Sequence, residues 1–102
     1  MKSYSPSEIA FLSALIHITH GQCTHLRTVH IEQIHHGRTL WTGPVAIFQL
    51  HDHPTAPECF AWLSDELQET TTPAIYLKSD SIDSPAAAIH AYVLELSRTL
   101  AA

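Results

Sequence analysis

A chain of 102 residues and 11.3 kDa with 45% hydrophobic and 15% charged residues has material for one core, which predicts a single domain over residues 1–102. Ten Asp and Glu against five Lys and Arg give a formal charge of −5, which removes the electrostatic drive for generic nucleic-acid binding. No apolar run reaches the roughly 18 residues of a membrane span, and Met1-Lys2-Ser3-Tyr4 leads into polar residues rather than a signal-like stretch, so the expectation is a soluble, cytoplasmic protein.

Ser5-Pro6-Ser7-Glu8 reads as a helix start with a capping box, Ser5 capping and Glu8 reaching back. Ile9, Leu12 and Ile16 recur at helical spacing, and Gly21 stands where a C-terminal cap belongs, predicting a helix over about residues 6–19. His17 and His20 then fall in its last turn, where positive charge complements the dipole. Residues 24–34 and 39–50 read as two strands around the turn His35-His36-Gly37-Arg38. Gly43-Pro44 within the second strand implies an edge position or a bulge, since proline cannot donate to a ladder. Residues 58–64 and 73–78 read as a second hairpin across the acidic stretch Asp65 to Thr72. Ser84-Pro85 repeats the helix-start chemistry, and Ile89, Tyr92, Val93, Leu96 and Leu100 form an apolar stripe.

The order helix, four strands, helix predicts an α+β fold: an antiparallel four-stranded sheet of two hairpins with the N-terminal and C-terminal helices packed on one face. Under that arrangement Trp41, Phe48, Phe60, Trp62 and Tyr76 do not all fit beneath two helices. Aromatic surface is then expected to face a partner, and a homodimer through the sheet would cover it.

Nine histidines outnumber all Lys and Arg, and charging all of them would carry the formal balance from −5 to +4. Solvated polar faces account for them most simply; a metal site or a pH-sensing cluster is the sharper alternative. Cys23-Thr24-His25 and His51-Asp52-His53 are two i, i+2 pairs of ligand types, and each pair projects to one side of a strand. The hairpin turn pairs positions whose numbers sum to about 73 or 74, bringing Cys23 opposite Leu50 or His51. Cys23, His25, His51, His53 and Cys59 therefore make a candidate site for zinc or another transition metal. Two cysteines without a secretory signal read as reduced thiols rather than a disulfide. A nucleophilic pairing of Cys59 with His53, or Cys23 with His51, lacks any visible oxyanion site. Gly21, Gly37 and Gly43 are too widely spaced for a phosphate-binding loop. Asp65, Glu66, Glu69, Asp80 and Asp83 read as solvated acidic loops, His30 and Glu32 as same-face neighbours on the first strand, and His90 as exposed.

Trp41-Thr42-Gly43-Pro44-Val45-Ala46-Ile47-Phe48-Gln49-Leu50, then His53-Pro54-Thr55-Ala56 and Cys59-Phe60-Ala61-Trp62, carry the pattern W-x-G-x-V-x-x-F-x-L, H-P-x-A and C-(F/Y)-A-W. With Asp83-Ser84-Pro85 and Ala88-Ile89, this resembles a group of small, uncharacterised bacterial proteins over residues 41–62 and 83–89. The chain departs from that group in its acidic Pro57-Glu58 and its long leading helix. The resemblance implies no catalytic role. It does single out His53, in a loop beside Asp52, as a polar group whose ring Asp52 or a backbone carbonyl would orient at a pocket mouth.

The favoured reading is a small binding or protein-interaction module, homodimeric and not an enzyme, needing no cofactor, with Trp41, Phe48, His53, Phe60 and Trp62 on its ligand or partner face. The alternative is a transition-metal protein or small metalloenzyme built on the Cys/His set. An RNA-binding sheet ranks third and requires the five basic residues to cluster.

Overall fold

The computed structural model describes residues 4–64 and 72–101. Six elements follow in chain order: α1 (Pro6–His20), β1 (Cys23–His35), β2 (Arg38–Leu50), β3 (Glu58–Ser64), β4 (Thr72–Leu77) and α2 (Pro85–Ala101). The strands form one antiparallel sheet in the order β1-β2-β3-β4, so the α+β class and the meander are as the sequence predicts. The acidic turn expected at 65–71 lies outside the described residues.

Local chemistry sets the element ends. The Glu8 amide donates to Ser5 Oγ at 3.2 Å and the Ser5 amide to Glu8 Oε1 at 2.8 Å, completing the capping box. Gly21 ends α1 at φ 102°, its N–H donating to the carbonyls of Ile16 and His17. The β1–β2 hairpin closes through His36 (φ 51°) and Gly37 (φ 76°), two left-handed residues of the kind that match hairpin twist. That turn fixes the register, with Cys23 opposite Leu50, Val29 opposite Val45 and His35 opposite Arg38.

The sheet is covered on both sides. Ala46, Phe48 and Leu50 of β2 join Cys59 and Ala61 of β3 beneath Leu12 and Ile16 of α1. The alternate residues, Val45 and Ile47 with Phe60 and Trp62, pack beneath Ala88 and Ile89 of α2. The two helices thus lie on opposite faces, which corrects the expectation that they share one. The reason is strand alternation: β2 and β3 are apolar on both stripes, and each stripe needs its own cover.

Pro44 sits not at an edge but in an inner strand, opposite His30; the bulges fall elsewhere, between His25 and Arg27 and between Gln33 and Ile34. Pairing between β2 and β3 stops at Ala46 and Ala61. Beyond it the Tyr4 hydroxyl bridges the two strands, donating to the Pro44 carbonyl at 2.7 Å and accepting from the Leu63 amide at 3.0 Å. Burial is the main cause that raises the Tyr4 hydroxyl pKa above its ordinary value; the Leu63 hydrogen bond works against it. The N-terminal arm therefore satisfies backbone groups that the proline-containing ladder leaves open.

Candidate functional site

The three histidines of the expected metal site each have a separate local partner. Thr24 Oγ1 lies 2.7 Å from His51 Nε2, His25 Nε2 lies 3.0 Å from Thr28 Oγ1, and the His25 ring packs on Phe48 at 5.3 Å. The amides of Thr55 and Ala56 donate to His53 Nδ1 at 3.2 and 3.0 Å, so the ring caps its own loop. Those amides orient His53, in the place where Asp52 or a carbonyl was expected, and the acceptor role leaves the proton on Nε2 in the neutral ring. Its ring neighbour is His20, at 6.0 Å. Among the described residues no group of three or more His, Cys, Asp or Glu side chains comes together to hold a metal ion. The five-residue set drawn from the sequence is therefore not assembled.

The two thiols differ in environment. Cys23 is partly exposed, with Sγ 3.5 Å from Ser13 Oγ and 3.6 Å from the Ser13 carbonyl. Cys59 is wholly buried beneath α1, and burial, helped by the neighbouring Cys23 and Glu58, pushes its thiol up to about 12. One thiol per folded chain, Cys23, is expected to react with an aromatic disulfide reagent near neutral pH, and the second only on unfolding. Two equally fast thiols would contradict this placement. Stability follows the same proton: between about 9 and 12 the unfolded thiol is ionised while the folded one is not, so stability falls as pH rises through that range.

Of the expected partner face, Phe48, Phe60 and Trp62 are 2% exposed or less. They are core residues, because helices cover both sides of the sheet. Trp41 is half-buried and meets Trp62 edge-on at 6.1 Å; Trp62 also stacks on Tyr76 and meets Tyr92, each at 5.3 Å. Tyr76 donates to Glu95 Oε2 at 2.7 Å, and burial first, then Glu95, raises its pKa well above the ordinary value. Of the basic residues, Arg27 lies on β1, Arg38 opens β2, Lys78 follows β4 beside Glu58, and Arg98 belongs to α2, so separate elements carry them. His30 and Glu32 are exposed on one face of β1, His30 Nε2 lying 3.1 Å from Thr42 Oγ1. His90 is exposed and meets Gln33 Oε1 at 3.3 Å.

Two features escaped the sequence reading. An open cleft of about 640 Å³ runs between α1 and the start of β1, lined by Ser13, His17, Ile18, Cys23, Thr24 and His51 among others. The i, i+4 spacing of Ser13 and His17 was the visible signal. The second is the outer edge of β1, a strand of 13 residues at one side of the sheet. Leu26 is 41% and Ile34 56% exposed along it, and Leu40 is 48% exposed beside the hairpin end.

No protein-family model, curated protein or solved structure matches the chain. Among the described residues no helix is long and apolar enough to cross a membrane. In this fold the motif residues Val45, Phe48, Leu50, Cys59, Phe60 and Trp62 are core, and His53 caps a loop.

Proposed function

We propose that the chain is a small protein-interaction module that works as a homodimer and contacts its partner through the β1 side of the sheet. The observation that carries this reading is the exposed apolar side chain of Leu26 and of Ile34 on a long strand at the sheet's edge. Such an edge offers backbone donors and acceptors together with apolar surface, and proteins ordinarily blunt one that is to stay single. Both sheet faces already carry a helix, so the aromatic residues first assigned to the contact serve the core instead. The motif resemblance to small bacterial proteins is compatible with this division, since its apolar residues build the scaffold.

Sedimentation velocity of the full chain over a range of concentrations tests the reading. A concentration-dependent dimer is expected, and a monomer at every concentration overturns it.

A further inference from the structure

The residues of β1 read nearly the same in both directions about His30. His25 mirrors His35, Leu26 mirrors Ile34, the polar pair Arg27-Thr28 mirrors Glu32-Gln33, and Val29 mirrors Ile31. A strand that joins a second copy of itself across a two-fold axis sets each residue against its mirror position, and this pattern matches like with like there.

The backbone direction agrees. The Leu50 amide donates to Pro57, and the Pro44 carbonyl accepts from Tyr4, which also binds Leu63; both β2 residues therefore turn their polar groups toward β3. Residues alternate along a strand, so Ala46 does the same, and its β1 partner Thr28 and Pro44's partner His30 direct N–H and C=O away from β2. Glu32, opposite Thr42, follows by the same alternation. Thr28, His30 and Glu32 thus present their backbone groups at the open edge.

We propose that two copies pair antiparallel through β1 with His30 on the two-fold axis, forming one continuous sheet; this rests on the homodimer reading and supplies its register. His30 exchanges backbone hydrogen bonds with the partner's His30, and Thr28 with the partner's Glu32. A two-fold axis through an antiparallel sheet pairs residues of the same face. Alternation from Gln33, opposite Trp41 on the α2 face, places Ile34 on the other face; Leu26 is the extra residue of the bulge between His25 and Arg27, where strict alternation lapses. The register sets Leu26, at the bulge, level with the partner's Ile34, so the two exposed apolar side chains come to the same point of the seam. On the α2 face Val29 meets the partner's Ile31 and Arg27 meets the partner's Gln33, so no like charges oppose. Centring on Val29 instead would set Leu26 against the partner's Glu32, and centring on Ile31 would set Ile34 against the partner's Thr28. Neither sets Leu26 or Ile34 against an apolar residue.

The test is sedimentation velocity on the full chain and three variants. His30→Pro removes an N–H that points to the open edge, so thermal unfolding should stay within a few degrees while the dimer dissociation constant rises at least about 100-fold. The Leu26→Lys, Ile34→Lys double variant sets lysine against lysine and is expected to be monomeric. The Leu26→Lys, Ile34→Glu double variant sets lysine against glutamate twice and is expected to remain a dimer. A dimer that survives both His30→Pro and the double lysine variant overturns this register and leaves the homodimer reading standing on another surface. Loss of the dimer in the lysine–glutamate variant also overturns the register. A wild-type chain that is monomeric throughout overturns both.

Discussion

Trp62→Ala is expected to lower the stability of the folded chain by about 3–5 kcal/mol, the usual loss when a buried aromatic is truncated and the site cannot collapse. Trp62 is 0% exposed and lies at the centre of the α2 side of the core, stacked on Tyr76, edge-on to Trp41 and Tyr92, and clustered with Val45, Ile47 and Phe60. Those neighbours come from β2, β3, β4 and α2, so no single element can move to fill the space. A domain of this size has a total stability of about 5–15 kcal/mol, and the substitution takes a large share of it. The Trp62 Nε1–H has no acceptor among the described residues, so the indole carries an unmet donor as well as a packing gain. Trp62→Phe keeps most of the ring contact and removes that donor, and should lose less than half as much as alanine. Chemical denaturation of the two variants checks the account. Equal losses would mean that the ring contacts contribute little, and would falsify it.

Tyr4→Phe is expected to destabilise by about 1–3 kcal/mol, although the substitution removes one oxygen from a residue that precedes the first helix. That oxygen serves two backbone groups at once, the Pro44 carbonyl and the Leu63 amide, where the β2–β3 ladder has already ended. Phenylalanine leaves both without their partner, and the cost of an unpaired buried polar group exceeds the net worth of an ordinary hydrogen bond. For a chain of about 100 residues each kcal/mol corresponds to roughly 4–8 °C in Tm. Hydrogen exchange at the Leu63 amide provides the local readout and should accelerate in the variant. An unchanged Tm together with unchanged Leu63 protection would show that the hydroxyl bridge contributes nothing.

The candidate metal site shows where sequence reasoning stopped. The hairpin register was readable to within one residue, setting Cys23 opposite Leu50 or His51, because a two-residue turn fixes pairing by counting; two bulges, one on each strand, cancel and leave Leu50 as the partner. Convergence of the side chains was not, because each histidine found a nearer partner: Thr24 for His51, Thr28 for His25, and the amides of Thr55 and Ala56 for His53. Short polar contacts of this kind depend on rotamers and loop paths that spacing does not specify. The expected aromatic surface failed for another reason. β2 and β3 are apolar on both stripes, so each face of the sheet takes its own helix and Phe48, Phe60 and Trp62 become core.

The sequence by itself determined the elements, their ends, the meander and, to within one residue, the first hairpin's register, because all of these follow from interactions between residues close together in the chain: the Ser5–Glu8 box, the Gly21 cap, the His36-Gly37 turn and the period-two and helical apolar patterns. Only the tertiary structure decided which helix covers which face, how Pro44 is accommodated, and which apolar residues are left outside. Tyr4 lies 40 residues from Pro44 and 59 from Leu63, and a pairing over that distance has no local signature. The near-symmetry of β1 about His30 was written in the sequence throughout; it acquired meaning only when the sheet order placed that strand at an edge, where its outward backbone groups and the exposed Leu26 and Ile34 can meet a second copy.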